Sequence, residues 1–448
     1  MGTIILIIAF FVEIAFTTYC VLTQSNQEKI RSFIRITAFA AFVLFTLVTV
    51  IQWSFRWYAL AALLSVWAVL GIWTLVGNKA DKKKFSTGRA VFKAFGTLLL
   101  VLLVISPVLI FPQYQPPQVT GKHSVATALF TYTNENQIET FTNTGEKRKV
   151  NVEFWFPADA TGAEKYPLVV FNHGAMGTKT SNTSTFLELA SNGYVVCSID
   201  HPYLSLITRG SDGRMILQSP SFRQEFFDAN NGKYDEATEL QLEHEWMAVE
   251  TGDTNFVLDT ILDLAQDPGS AAVYHLVEGE KIGLIGHSLG GEASAQVARE
   301  RIASGQNDID AVVNLDADLS GEYEGVVDGK EVLNQSLYPV PILTILSDEL
   351  SRRIDAIPNA TDVVAVKHVD ATAPQAYEIH FAGTNHMSFT DLAVMSPLLT
   401  SLLNGSVHSV AGSDADPLAT IEKLNDTILK FFNAFLKDEG NFSTAGLN

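Results

Sequence analysis

Cysteine is nearly absent from this sequence, since only Cys20 and Cys197 occur in 448 residues. Cys20 lies in an apolar stretch and Cys197 in the run YVVCSI, which is typical of a buried strand. Neither belongs to a C-x-x-C pair. The two cysteines therefore argue against a disulfide framework and against a cysteine-rich metal site. Cys197 is interpreted as a small buried hydrophobic residue.

Positive charge is scarce in the larger part of the chain. Up to Gln115 there are ten Lys or Arg and three acidic residues, which give a net charge of +7. The whole chain carries −19, so the residues after Gln115 carry −26. A domain this acidic is repelled by nucleic acid and by anionic lipid. Its charge favours solubility and argues against a nucleic-acid partner.

Long apolar runs are confined to the amino-terminal part, where each is close to the ~20 residues that cross a bilayer core. We find neither the basic start nor the small-residue cleavage site of a signal peptide, so the first run is read as a span. Residues 1–112 are thus predicted to be a transmembrane region with four helices. The predicted spans are Thr3–Leu22, Ile34–Trp53, Tyr58–Val76 and Ala94–Phe111.

The connections between these spans carry unequal charge. The second connection has only Arg56, whereas the first and third are basic. Basic connections stay in the cytoplasm, so both termini and everything after Pro112 are expected on the extracytoplasmic side of the cell membrane. The basic residues are Lys29, Arg31 and Arg35 in the first connection and Lys79, Lys82, Lys83, Lys84, Arg89 and Lys93 in the third.

Glu13 lies near the middle of the first predicted span, where an ionisable group is costly and suggests function. The alternative is that Glu13 is protonated or bonded to a neighbouring helix, and we favour it. The sequence offers no matching intramembrane Lys, Arg or Asp that could build a relay. We interpret the bundle as an anchor. A membrane sensor or scaffold, whose second domain binds a ligand without turnover, is an alternative hypothesis for the whole chain and has Glu13 as its support.

A Pro-rich linker, residues 113–125, precedes a predicted catalytic domain at 126–448. Ala126–Tyr132 and Lys147–Phe156 alternate apolar and polar residues, as an antiparallel hairpin does. Compact apolar runs then alternate with helical stretches, which predicts a mostly parallel sheet with helices on both faces. Such a sheet binds its substrate at the carboxyl ends of the strands. The apolar runs begin at Tyr166, Gly193, Lys281, Ala311, Val340 and Ala376.

The stretch from Lys281 to Ser294 reads as a strand, a sharp turn and a helix. Within it, GHSLG at residues 286–290 matches the G-x-S-x-G nucleophile elbow, in which the serine occupies a strained turn with an exposed hydroxyl. Ser288 is therefore the candidate nucleophile.

Candidates for an acid and a base follow later strand ends in the order expected of an α/β-hydrolase. Asp316 follows one strand, and His386 follows the last one by a short loop. The imidazole can take the hydroxyl proton while the carboxylate fixes its tautomer, so we expect neither metal nor cofactor. Asp348 also follows a strand end and is the alternative acid, and Asp318 is close by. Each could instead be a solvated surface residue.

Among ten histidines, His386 has the best position for a base. His380 lies within a strand, where a packed or paired histidine is the commoner case. His408 is the remaining rival, but it comes late and no strand precedes it.

Acyl transfer also needs two donors for the oxyanion, each worth ~3–4 kcal/mol. The backbone N–H of Leu289, just after the nucleophile, is one candidate. The loop NHGAMG at residues 172–177 follows the third strand and supplies Ala175, with Met176 one residue behind it. The polar insertion between Leu204 and Gly252 could shape the acyl pocket or be a solvated excursion, and the sequence leaves both open.

Several of these stretches together resemble the platelet-activating-factor acetylhydrolase family of α/β-hydrolases, a signature shared with dienelactone-hydrolase-like esterases. The resemblance covers Pro167–Leu436 and implies a triad of Ser288, Asp316 and His386, with Ala175 and Leu289 as oxyanion donors. The preference for Asp316 over Asp348 rests on it. It also implies a serine esterase that cleaves short acyl esters, among them phospholipid-like ones. The stretches are FNHGAMG (171–177), ASNGYVV (190–196), DHP (200–202), GHSLGG (286–291), NLDA (314–317) and NHMSFTD (385–391).

Overall fold

The computed structural model describes residues 2–77, 84–114, 116–162, 164–327, 330–356, 361–404 and 414–446. The rival histidine His408 and the basic residues Lys79, Lys82 and Lys83 lie outside them. The chain divides into two compact units, Met1–Gln115 with Met395–Leu399, and Pro116–Val394 with Thr400–Asn448.

The first unit is helical. Its helices are each long and apolar enough to cross a membrane, as the apolar runs predict. A small apolar core, which includes Phe42, Trp57 and Ile105, holds them together. The helices are α1 (Gly2–Thr23), α2 (Glu28–Leu47), α3 (Tyr58–Val76) and α4 (Thr87–Ile110).

Two of these helices begin before the predicted spans. Helix α2 begins at Glu28 rather than Ile34, and α4 at Thr87 rather than Ala94. The length of an apolar run does not predict the first residue of such a helix. Long basic side chains are tolerated in the end turns of a span, where they reach toward the polar region. Three basic residues predicted in a loop therefore lie in α2: Lys29, Arg31 and Arg35.

Glu13 of α1 has a partner in α2. Its Oε1 lies 3.3 Å from Nη2 of Arg31, and both side chains are largely buried. The Arg31 guanidinium also lies over the ring of Phe16, 4.6 Å from its centroid. The expectation that no basic residue matches Glu13 is thus wrong, because the early start of α2 brings Arg31 into the bundle. Glu13 is bonded to a neighbouring helix, the interpretation we favoured.

The second unit is built around an eight-stranded sheet in the order β1-β2-β4-β3-β7-β8-β11-β12. β1 and β2 pair antiparallel, as do β2 and β4, and the remaining neighbours pair parallel. β5 and β6 form one separate hairpin and β9 and β10 another. The strands are β1 (Val125–Ile138), β2 (Lys147–Pro157), β3 (Tyr166–Asn172), β4 (Val195–Asp200), β5 (Ile207–Arg209), β6 (Met215–Leu217), β7 (Val277–His287), β8 (Ile309–Leu315), β9 (Tyr323–Val327), β10 (Lys330–Leu333), β11 (Ile342–Ser347) and β12 (Ala376–Phe381).

Helices cover both faces of this sheet, which confirms the predicted α/β-hydrolase fold class. Helices α5 and α13 bury apolar residues against one face, and α7, α8 and α10 against the other. The continuous apolar runs of β3, β7 and β8 follow from burial on both sides. The helices are α5 (Thr183–Ser191), α6 (Pro220–Asn230), α7 (Glu236–Gln266), α8 (Leu289–Ala303), α9 (Asp348–Ala356), α10 (Thr361–Thr372), α11 (Leu392–Met395), α12 (Pro397–Asn404) and α13 (Pro417–Leu436).

The carboxyl ends of β3, β7 and β8 meet at one level of the sheet. Asn172 pairs with Gly286, and Gly286 pairs with Asn314 on the other side. The loops that follow these strands therefore start side by side, which brings residues distant in sequence to one edge.

Candidate active site

Ser288 occupies a strained turn between β7 and α8. Its φ of 55° and ψ of −131° are rarely adopted by residues with a side chain. A Cβ at Gly286 would lie 1.9 Å from the Gly290 carbonyl oxygen, and a Cβ at Gly290 would lie 2.2 Å from that of Asn172. Both glycines are thus required for the close approach of strand and helix. The G-x-S-x-G pattern has here the strand-turn-helix context that gives it meaning.

Asp316 is held in a second strained turn, directly after β8. Its φ is 58°, and its backbone N–H donates to the Ile345 carbonyl at 2.9 Å. The Asn314 side chain bridges the turn, because its Nδ2 donates to the Ala317 carbonyl and its Oδ1 accepts from the Ala317 N–H. The carboxylate of Asp316 is thus fixed at the carboxyl edge of the sheet.

His386 is hydrogen-bonded to Asp316. Its Nδ1 lies 2.8 Å from Oδ2 of Asp316, and the carboxylate is 2% exposed whereas the imidazole is 29% exposed. The other carboxylate oxygen accepts from the Ser347 N–H at 2.6 Å. A carboxylate can only accept, so Nδ1 carries a proton and Nε2 of neutral His386 is left as a base.

The pKa values of His386 and Asp316 are shifted in opposite directions. Burial opposes charging of His386, but the hydrogen bond and negative charge of Asp316 outweigh burial and raise the pKa of His386 above its usual value. Burial would raise the pKa of Asp316, yet the donors from His386 and Ser347 lower it below its usual value. Asp316 is therefore a stable carboxylate that can support a charged imidazolium.

The alternative acid, Asp348, is engaged elsewhere. Its Oδ1 lies 2.8 Å from Nε2 of His380, and its Oδ2 accepts from the Arg352 guanidinium. His380 is thus a paired histidine within β12. Of the two candidate acids, Asp316 is the one that lies beside His386.

The loop that carries His386 is anchored by Asp391, which sequence reasoning did not single out. Oδ2 of Asp391 accepts from the Ser184 N–H at 2.8 Å, in the first turn of α5, and its Oδ1 accepts from the Ser184 hydroxyl. Nδ2 of Asn182 donates to the Phe389 carbonyl at 2.6 Å. Burial raises the pKa of Asp391 to about 6. The stretch NHMSFTD, which holds both His386 and Asp391, was the signal in the sequence that could have pointed to Asp391.

His287, the residue before the nucleophile, links the elbow to His386. The two imidazole rings lie 4.5 Å apart between centroids, and Nε2 of His287 donates to the His386 carbonyl at 2.9 Å. Burial, helped by nearby His386, lowers the pKa of His287 to about 3, so the ring is neutral. The base candidate therefore packs directly against the turn of Ser288.

The loop after β3 lies against the nucleophile. A Cβ at Gly174 would lie 2.8 Å from Cβ of Ser288. The Met176 N–H is occupied, since it donates to the Leu204 carbonyl at 3.3 Å. Within the part of the chain that the structure describes, neither the Ala175 N–H nor the Leu289 N–H donates to another protein group. These two donors are thus available for an oxyanion.

His173 fixes that loop from the buried side. Its Nδ1 donates to the Gly174 carbonyl at 2.8 Å, and its Nε2 lies 2.6 Å from the Ser205 hydroxyl. Burial, together with the neighbouring His201, lowers the pKa of His173 to about 3. In the neutral ring Nδ1 carries the proton, so Nε2 accepts from Ser205.

A buried charged network lies behind this loop. Arg148 makes a two-pronged bond to Asp253 at 2.6 and 2.7 Å, and Nδ1 of His201 lies 3.1 Å from Oδ2 of Asp253. His201 Nε2 faces Glu250 at 3.9 Å, and burial raises the pKa of Glu250 to about 7. The backbone N–H of His201 also donates to Nε2 of His173 at 3.4 Å. Sequence reasoning missed this network, since its members come from three separate elements.

Comparisons with known proteins show what this chain is similar to. The family model described as platelet-activating factor acetylhydrolase, isoform II, matches residues 149–210. The platelet-activating factor acetylhydrolase of Cavia porcellus is 23% identical over 292 residues, which cover 62% of this chain and 59% of that protein. Its counterpart in Bos taurus is 24% identical over 301 residues, with the same coverage. The match thus spans less than two thirds of the length of these relatives.

A solved structure is similar over most of the chain. The ferulic acid esterase from Streptomyces cinnamoneus superposes with a TM-score of 0.52 at 17% identity, over 73% of this chain and 96% of that one. This likeness concerns the fold. The chain therefore has an α/β-hydrolase fold, and over the matched residues it is similar to the platelet-activating factor acetylhydrolases.

Proposed function

We propose that this chain is a membrane-anchored carboxylic ester hydrolase that works through an acyl-enzyme on Ser288. The observation that carries the proposal is the 2.8 Å bond between His386 and Asp316, beside the strained turn of Ser288. A nucleophile, a base whose Nε2 carries no proton and a buried carboxylate form a set that needs no cofactor. Acetylhydrolase relatives support the same reaction type.

In the first half-reaction, Oγ of Ser288 attacks the ester carbonyl carbon while its proton passes to Nε2 of His386. The carbonyl oxygen becomes an oxyanion, which the N–H groups of Ala175 and Leu289 would bind. The tetrahedral intermediate then breaks its bond to the leaving oxygen, and His386 returns the proton to that oxygen. An alcohol departs and the acyl group stays on Ser288.

The second half-reaction repeats these steps with water. His386 takes a proton from water as its oxygen attacks the acyl carbon, and the same two N–H groups would hold the oxyanion. Collapse of the intermediate returns the proton to Oγ of Ser288 and releases the carboxylic acid. Asp316 stays ionised throughout and stabilises the imidazolium, which agrees with its lowered pKa.

The proposed substrates are esters with short acyl chains, phospholipid-like esters among them. Support comes from the names of the curated relatives, which are acetylhydrolases. An acidic domain such as this one favours neutral or cationic esters over anionic ones, because like charge repels.

Helices α1 to α4 are the proposed anchor. The basic side of the bundle would face the cytoplasm, since Lys29, Arg31 and Arg35 in the first turns of α2 and Lys84 before α4 still count toward that side. Both termini and the hydrolase unit would then be extracytoplasmic. Protease treatment of right-side-out vesicles should digest the hydrolase unit, and protection of that unit would contradict this orientation.

The catalytic proposal is tested by hydrolysis of p-nitrophenyl acetate by the full chain in detergent. Replacing Ser288 by Ala should lower kcat by about 10⁴–10⁶-fold, because the members of a triad act as a unit. Ser304 lies at the carboxyl end of α8, the helix that follows Ser288. Ser304→Ala is the matched control and should retain the rate of the unmodified chain. Equal rates for both variants would contradict the proposal.

A further inference from the structure

An aromatic cluster shares an apolar core with residues on the oxyanion side of the candidate site. We define it by three residues of the insertion, Phe222 and Phe226 of α6 and Trp246 of α7. They share one apolar core with Leu289 and with the partly buried Ala175. The cluster therefore belongs to the apolar core that also holds both residues whose N–H groups are the proposed oxyanion donors.

The three rings fill their space closely. The ring of Phe222 meets that of Trp246 edge-on at 5.4 Å, and Phe226 lies 5.9 Å from Trp246 and 6.1 Å from Phe222. Phe222 is 1% exposed and Trp246 7% exposed. Buried aromatic rings in mutual contact lose much packing energy if a ligand displaces them, so the cluster resists entry of a long chain.

The start of the insertion is hydrogen-bonded to the oxyanion loop through the backbone. The Leu204 carbonyl accepts from the Met176 N–H at 3.3 Å, and the Leu206 N–H donates to the Gly177 carbonyl at 3.1 Å. The start of the insertion is thus joined to the loop that carries Ala175.

The chemistry of the reaction decides which part of a substrate meets the cluster. The leaving oxygen must lie within reach of His386, which protonates it, and the carbonyl oxygen must lie between the Ala175 and Leu289 N–H groups. The remaining substituent of the carbonyl carbon is the acyl chain. The three substituents of a trigonal carbonyl carbon point apart, so the acyl chain is directed away from both His386 and the two N–H groups and would meet the side chains that flank them.

Resting on the proposed function, we infer that Trp246, with Phe222 and Phe226, is the specificity-determining wall of the acyl site and limits acyl-chain length. These residues touch the acyl chain of the substrate rather than the reacting atoms. The substrate class that follows is esters whose acyl chain ends at this wall, with acetyl and propionyl esters preferred over octanoyl ones.

The test is the ratio of kcat/KM for p-nitrophenyl octanoate to that for p-nitrophenyl acetate, measured on the full chain in detergent. Replacing Trp246 by Ala should raise this ratio at least about tenfold, because added room in an apolar pocket is worth about tenfold or more per methylene of accepted chain. The ratio does not depend on the fraction of folded protein, so partial misfolding leaves it interpretable. Trp246→Phe should give a smaller rise in the same direction, which provides a second variant if Trp246→Ala does not fold.

Trp155→Ala is the matched control. Trp155 is also a buried tryptophan, 3% exposed, but it packs on Phe186 in the core on the α5 side of the sheet. It should leave the ratio unchanged. A ratio unaltered in both Trp246 variants, or octanoate hydrolysed by the unmodified chain as fast as acetate, would overturn the inference. Failure of the proposed function is a different result, in which no ester is hydrolysed or Ser288→Ala is as active as the unmodified chain.

Discussion

His386 and Asp316, which are 70 positions apart in sequence, share a hydrogen bond of 2.8 Å between Nδ1 and Oδ2. Two strained or tightly held loops bring them together, one after β8 and one after β12. The same edge of the sheet carries Ser288, whose turn packs against His386 through His287. The proposed chemistry rests on this convergence.

The choice of acid can be tested by a matched pair of variants. Asp316→Asn should lower kcat by about 10⁴-fold, because an amide cannot hold the imidazole in the required tautomer or stabilise its charge. Asp348→Asn should leave kcat within about threefold, since Asp348 is bonded to His380 and Arg352 instead. Steady-state hydrolysis of p-nitrophenyl acetate by both variants decides the matter, and the reverse ranking would assign the acid to Asp348.

The pH dependence of kcat/KM should report His386. Only the neutral imidazole can accept the Ser288 proton, so the rate should rise with pH and level off above the pKa of His386. Asp316 raises that pKa above its usual 6.5, so the midpoint of the acid limb is expected above pH 6.5. Asp316→Asn removes both the bond and the charge that raise the pKa, so its residual activity should show a midpoint at lower pH. A rate that stays flat down to pH 4 would exclude His386 as the base.

The contact between Gly174 and the nucleophile predicts a catalytic defect without loss of a functional group. Gly174→Ala would place a Cβ 2.8 Å from Cβ of Ser288 and 2.9 Å from the His287 carbonyl oxygen, so the loop or the elbow must shift. A displacement near 1 Å at this point should lower kcat by roughly 10²-fold. Gly252→Ala in α7 is the control, because its Cβ would meet nothing within 4 Å. Gly252→Ala should keep kcat and stabilise the fold by about 0.5–1 kcal/mol. Equal rates for the two variants would show that the position of the Gly174 loop does not affect catalysis.

Buried and exposed ion pairs of this chain should contribute different amounts to the free energy of unfolding. Asp253→Asn leaves the guanidinium of Arg148, 2% exposed, with Glu139 as its remaining carboxylate partner at 2.9 Å. It should lower the free energy of unfolding by about 3 kcal/mol, the low end of the cost of breaking a buried pair. Asp426→Asn breaks the exposed pair with Lys430 in α13 and should cost no more than about 1 kcal/mol. Urea unfolding of the detergent-purified chain, followed by tryptophan fluorescence, measures both. Similar losses would show that Arg148 and Asp253 are not a buried unit in solution.

The sheet and the elbow could be predicted from sequence because burial on both faces leaves continuous apolar runs. β12 has the predicted bounds, Ala376–Phe381, and the GHSLG stretch forms the predicted strand-turn-helix. Helix α7 continues unbroken from Glu236 to Gln266, because tertiary packing carries it through Gly252. Local propensity understates such continuity.

The acid could not be chosen from strand pattern, because Asp316 and Asp348 both follow parallel strands. What separates them is the partner that each one meets across the sheet edge, His386 or His380. The positive φ of Asp316 is likewise invisible to pattern, since its turn is set by the Asn314 bridge. Partners distant in sequence decide these features, so the sequence alone supplied only the candidates.

The most direct measurement of the central claim is covalent labelling of the full chain with a fluorophosphonate, with the modified peptide identified by mass spectrometry. One label per chain is expected on Ser288. Labelling should be lost in Ser288→Ala, retained in Ser304→Ala and strongly slowed in Asp316→Asn, since the nucleophile depends on its base and the base on its carboxylate. Labelling that persists in Ser288→Ala, or a modified peptide without Ser288, would contradict the account.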